Sequence, residues 1–206
     1  MKRTIKTSAA LVAAIAVTCS AAACTNAPEE PGLPATSTEA PPLSGVGPAG
    51  RSPGQQATEG AIAAVKGMHK TRAAIENDPR ADMNTISQYV TDPYLGLLKA
   101  DMELRRSKGI VGKGEIVVVN TSPEEVKAPA DEDGNPIVGE AEVLLRTCVD
   151  VTDYHAFDAE GRDTVNPDRM PQEQAIFRVA NESWPSGDGW RVVENTLVES
   201  EPCDAY

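Results

Sequence analysis

Four cysteines, two histidines and one short run of acids are the residues whose chemistry could exceed packing. Cysteine offers thioether, disulfide or zinc chemistry. Spacing argues against zinc: the chain has no C-x-x-C, and His69 and His155 lie at no ligand spacing from Cys148 or Cys203. The run Asp131-Glu132-Asp133-Gly134-Asn135-Pro136 suggests a calcium loop. Such a loop needs Gly at its sixth place and Glu at its twelfth. Here Pro136 is sixth, and Glu142 is twelfth but lies inside a predicted strand, so the run reads as a solvated turn. Two histidines without a nucleophile-elbow sequence make no Ser-His-Asp trio, and the chain carries no phosphate loop or dinucleotide fingerprint. The expectation is a protein with no cofactor and no bound metal.

The front of the chain speaks to compartment. Lys2, Arg3 and Lys6 precede an Ala-rich run over residues 7–23 that contains Leu11, Val12, Ile15 and Val17. A basic start, a short apolar stretch and small residues before a break make a secretory signal, residues 1–23. The run is too short for a spanning helix, and Thr7, Ser8, Thr18 and Ser20 dilute it. No twin-Arg pair is present, so general export is the simpler route. The segment ends Ser20-Ala21-Ala22-Ala23-Cys24, which resembles a bacterial lipobox, with Ala where Leu is commoner. Cleavage between Ala23 and Cys24 would leave Cys24 as a lipidated N-terminus. Cys19 is a poorer acceptor, because bulky Thr18 precedes it. Ala21-Ala22-Ala23 also fits an ordinary A-x-A site, whose product would be a soluble secreted protein cleaved after Ala23.

Lipidation would carry the attachment alone. One acyl chain holds marginally, at about 0.8 kcal/mol per buried methylene, whereas two or three chains hold stably. Loss of residues 1–23 removes three positive charges and leaves 16 basic against 31 acidic residues, a formal −15. That surface gains nothing from anionic headgroups. The whole chain, at −12, is also a poor match for phosphate backbones, which excludes nucleic acid as a partner. The expected location is the extracytoplasmic face of the cell membrane. With Cys19 lost and Cys24 lipidated, Cys148 and Cys203 remain as an even pair in an oxidising compartment. They are expected either to form a bridge or to stand as two free thiols.

These sites need elements to hold them. Residues 24–56 hold seven of the 16 prolines and no apolar period, and read as a lipidated N-terminus followed by a Pro-rich linker. As a coil the linker would span about 30 Å. Residues 57–206 suit one domain. Ile62, Val65, Met68/His69, Arg72 and Ile75 follow a helical period that stops at Asn77-Asp78-Pro79, with His69 read near the core boundary. A short helix over 82–90 follows. Asp92-Pro93 then starts a third, with Tyr94, Leu97, Leu98, Asp101 and Leu104 sharing a face and Gly109 ending it. Strands are predicted over 115–120, 140–154, 172–184 and 189–199, with turns at 131–136, 158–161 and 185–189. In the long strand Ala141, Val143, Leu145, Thr147, Val149 and Val151 face one way, and Tyr154 faces the other. Trp184 and Trp190 flank the last turn and are expected to pack across it. Helices followed by antiparallel strands give an α+β class, with N-terminal helices on one face of a curved sheet of about four strands.

The helical start with Tyr89-Val90-Thr91-Asp92-Pro93, the long strand over 143–154 and the ending Gly189-Trp190-Arg191-Val192-Val193 resemble the nuclear transport factor two-like (cystatin-like) superfamily. More narrowly, the chain resembles exported actinobacterial lipoproteins that carry such a domain on a Pro-rich tether. The resemblance covers about residues 57–206 and implies a cone-shaped domain with an apolar hollow, but no single activity. In ketosteroid isomerase- and polyketide cyclase-like members an Asp or His in the hollow moves a proton. On that implication Asp101, on the apolar face, is the first catalytic candidate, followed by Asp153 and His155, which continue the inward phase of the long strand. The alternative for Asp101 is a surface pair with Arg105 at i+4. The sequence thus points to a non-catalytic binding or assembly role at the envelope, with an envelope protein or a small apolar ligand as partner. The alternative is a small-molecule-binding or isomerase-like enzyme that uses the hollow.

Overall fold

The computed structural model describes residues 50–198 and residue 203. The chain divides into two units, Met1–Ala40 and Pro41–Tyr206, and every described residue belongs to the second. The signal segment, Ala23, Cys24 and nearly all of the proposed linker lie outside the described residues.

The first helix, α1, spans Pro53–Asn77 and so begins inside the segment assigned to the linker. Ser52 explains the start. Its Oγ accepts from the Gln55 backbone N–H at 3.2 Å, and the Gln55 side chain returns a bond to the Ser52 N–H at 3.0 Å. This reciprocal cap, with Pro53 in the first turn, contributes about 1 kcal/mol and outweighs the local Pro and Gly content. A 3-10 helix, Met83–Gln88, replaces the predicted short helix, and the Asp82 side chain caps it through Asn84 N–H. The second helix, α2, spans Tyr94–Ser107, and Asp92 Oδ1 accepts from Gly96 N–H at its start.

Among the described residues six strands follow: β1 Val111–Lys113, β2 Val117–Lys127, β3 Gly139–Asp150, β4 His155–Phe157, β5 Gln172–Trp184 and β6 Trp190–Val198. The main sheet is antiparallel in the order β2-β3-β5-β6, and β1 pairs with β4 in a separate two-stranded sheet. The α+β class and the four-stranded sheet agree with the sequence reading. Helix α1 packs across the inner face of the sheet. The layer between them is filled by Met68, Ile86, Leu145, Phe177, Val143 and Val179, all fully buried. Each such side chain contributes roughly 1.5–3 kcal/mol by leaving water. Trp184 and Trp190 close one end, edge to face with centroids 6.0 Å apart, so they pack across the hairpin as expected.

Two predicted orientations are corrected. The long strand ends at Asp150 instead of Tyr154. The Asp150 carboxylate accepts from Thr152 N–H at 2.8 Å, and Tyr154 N–H bonds Val151 O at 3.1 Å, which turns the chain. A local carboxylate that satisfies the backbone competes with the strand ladder. Asp153 therefore sits in a turn, His155 opens β4, and Tyr154 is buried instead of facing out. In α2 the buried residues are Leu98 and Met102, whereas Leu97 is 69% and Leu104 is 52% exposed. The helix packs on β6 and the 3-10 helix at the rim of the sheet, which rotates its inward face away from the Leu97–Leu104 stripe. Among the described residues no helix is long and apolar enough to cross a membrane.

Candidate functional site

The three catalytic candidates do not share a hollow. The Asp101 side chain is 43% exposed, and its Oδ2 accepts from Arg105 Nε at 3.1 Å and Arg72 Nη2 at 3.4 Å. This includes the i+4 pair weighed as its alternative. His155 is half exposed, with Nδ1 2.6 Å from Asp163 Oδ2. Asp163 sits below the usual carboxylate range, first because it accepts from Val165 N–H and then because of His155. Asp153 lies in the exposed turn, where its carbonyl approaches Gly114. A Cβ at Gly114 would fall 1.9 Å from that oxygen, and the residue has φ +99°. The acidic turn closes on itself: Asp131 Oδ1 accepts from Asn135 N–H at 2.7 Å and Asp133 N–H at 3.0 Å. Among the described residues no group of three His, Cys, Asp or Glu is placed to hold a metal.

Sequence reasoning missed a polar chain that runs from the buried Tyr154 and Glu76 out to Asp101. Tyr154 Oη donates to Glu76 Oε2, and Arg72 Nε donates to Glu76 Oε1 at 2.8 Å. Arg72 then reaches Asp101, and Asp101 reaches Arg105. Burial, then the bond to Glu76, raises the Tyr154 phenol well above its ordinary range, so it remains a donor. Burial opposes the Arg72 charge, but Glu76, Tyr94 and Asp101 together outweigh it and its pKa rises. Each Glu76 oxygen thus has a donor, and the carboxylate ties α1 to the segment that leads into β4. Gly112 makes room, since a Cβ there would lie 2.9 Å from both Tyr154 Oη and Asn77 Oδ1. The signal was present in α1: Arg72 and Glu76 stand i,i+4 on an otherwise apolar face, and charges placed there need partners.

His69 lies deeper than predicted. It is 8% exposed, its ring stands edge-on to Phe177 at 5.6 Å, and neither ring nitrogen has a partner. Burial, then Arg72, lowers its pKa to about 4, so it is neutral near pH 7.

The surface is grooved between α1 and the start of β2. A groove of about 640 Å³ is lined by Lys66, Lys70, Ala73, Ile116, Val117 and Val118 among others. Lys66 and Lys70 stand one helical turn apart, and neither makes an ion pair among the described residues. Val117 and Val119 are exposed on the same strand. Strand β2 is an edge whose far half is blunted by Pro123 and a register shift between Pro123 and Glu125. The opposite edge, β6, is partly covered: Thr91 N–H bonds Val192 O, and Val192 N–H bonds Tyr89 O. The outer face of the sheet is a compensated ladder in which Lys127 and Arg178 both reach Glu142, and Arg178 also reaches Glu194. Cys203 is bridged onto that face at Cys148, with Cα atoms 5.5 Å apart.

No family model matches the chain, and no curated protein matches it. Among solved structures, the chain is similar to the crystal structure of the intermembrane space region of the chloroplast protein ARC6. That match has 14% identity, covers 69% of this chain and 96% of that one, and has a TM-score of 0.47.

Proposed function

We propose that this protein is a lipid-anchored extracytoplasmic module that binds an envelope partner and performs no catalysis. The packed interior carries this reading. A cystatin-like enzyme works inside a hollow, whereas here Phe177, Met68 and Leu145 fill the space between helix and sheet. The two carboxylates and the histidine proposed for catalysis lie outside that layer. Among the described residues an unpaired strand edge lies beside a groove lined by Ile116, Val117 and Val118, which suits an extended peptide or an apolar partner surface. The bridge Cys148–Cys203 supports an oxidising compartment. In this reading Cys24 carries the acyl chains and the Pro-rich segment spaces the domain from the membrane.

Growth with an alkyne-tagged fatty acid tests the anchor. The wild type takes up label and Cys24→Ala does not, whereas an unlabelled wild type overturns the anchor in favour of a secreted protein cleaved after Ala23. A photo-crosslinking residue at Val117 tests the binding role in intact cells. One discrete adduct that is lost in Lys66→Glu/Lys70→Glu supports it, and absence of any adduct overturns it.

A further inference from the structure

A second groove, independent of the proposed anchor and strand edge, gathers positive charge on a strongly acidic chain. It has a volume of about 440 Å³ and lies where the last turn of α2 meets β4 and the loop over 164–169. Arg105, Lys108 and Arg169 line it against one carboxylate, Asp101, while the chain as a whole carries −12. Asp101 is already shared between Arg105 and Arg72. Lys108 and Arg169 make no ion pair among the described residues, so two full cations face the groove uncompensated.

The cations are placed by the fold. Arg169 Nη2 donates to Val151 O at 2.6 Å and also to Tyr154 O, so the turn that seats Tyr154 against Glu76 also fixes this guanidinium. Those acceptors are neutral carbonyls, which orient the fork but leave its charge. Asn166 Oδ1 accepts from Asp168 N–H, which leaves the Asn166 amide NH₂ as a further donor. A helix C-terminus ordinarily repels anions. Here the Leu104, Arg105 and Arg106 carbonyls are already taken by Lys108, Gly109 and Ile110 N–H groups. Leu104, Ile110 and Val165 supply an apolar wall.

We propose that this groove binds an organic oxyanion, a carboxylate or phosphate carried on a ring or short apolar body. Cationic side chains and an amide line the groove beside an apolar wall, the elements of a small-molecule site, and the volume suits a molecule of that class.

Isothermal titration of the full chain in detergent with glucuronate, glucose 6-phosphate and glucose tests the assignment. One or both oxyanions bind and glucose does not. Glucuronate alone identifies a carboxylate site, glucose 6-phosphate alone a phosphate site, and both a shared oxyanion site. Lys108→Gln, at an exposed position with no partner to lose, weakens binding about tenfold, the loss of one charge-assisted contact. Arg169→Gln weakens it at least as much, with its fold checked by circular dichroism. Failure of both oxyanions to bind, equal binding of glucose, or an affinity unchanged in Lys108→Gln overturns the proposal.

Discussion

The Tyr154 hydroxyl donates to the Glu76 carboxylate across 78 residues of sequence and joins the small β1–β4 sheet to the end of α1. Glu76 has its other oxygen on Arg72, so neither residue is free, and both are buried. An acid held this way orders the corner where α1, α2 and the small sheet meet.

Tyr154→Phe leaves one oxygen of a buried carboxylate without its donor. The expected loss is about 1–3 kcal/mol of stability, read as a lower urea midpoint at constant m-value. A midpoint within error of wild type contradicts the anchoring role of this pair.

His69 gives the protein a pH-dependent stability. Its folded pKa is about 4 against 6.5 for the unfolded residue. The unfolded chain therefore takes up the proton first. The contribution of neutral His69 is fully present above pH 6.5 and is lost progressively as pH falls toward 4. Between pH 7 and pH 5 wild type should lose about 2 kcal/mol that His69→Leu retains. Denaturant titrations of both proteins at the two pH values measure the difference, and parallel losses would refute the assignment.

Gly60 lies directly beneath Trp190, and a Cβ there would fall 2.2 Å from the indole Nε1. Alanine gains about 1 kcal/mol of helix propensity. Displacing a buried indole outweighs that gain, so Gly60→Ala should destabilise by about 1–3 kcal/mol and shift tryptophan fluorescence. Gly187, with nothing within 4 Å of its added Cβ, is the control, and Gly187→Ala should leave the spectrum unchanged.

The bridge from Cys148 to Cys203 closes a separation of 55 residues. In the chain-entropy view this contributes about 4 kcal/mol. Cys203→Ala should melt well below wild type, and reductant should lower wild type toward the variant. Alkylation of both thiols in unreduced protein would show that no bridge forms.

Much of this fold follows from local chemistry. The span Gln172–Trp184, the hairpin carrying Trp184 and Trp190, the stop of α1 at Asn77 and the turns at Asp131 and Asp158 are all set within a few residues. Counting, once export was assumed, left Cys148 and Cys203 as the pair able to bridge, and the fold brings them together. The helical start at Pro53 was also legible, in Ser52 and Gln55, although composition pointed to linker. The inward face of α2 was not. Leu97 and Leu98 are adjacent, so either could lead the buried stripe, and packing against β6 selects Leu98.

The direction of Tyr154 and both candidate grooves belong to the tertiary structure. Strand alternation is a local rule, and it fails where the Asp150 carboxylate diverts the chain and the buried Glu76 receives Tyr154. Sequence alone determined a class and a set of segments. Which charges stand paired and which stand free depends on residues brought together from distant segments: Arg72 with Asp101, Arg169 with the 151–154 turn, and Lys66 and Lys70 across from Val117. Coulomb and hydrogen-bond energies depend on separation in space, and only the folded chain sets that separation.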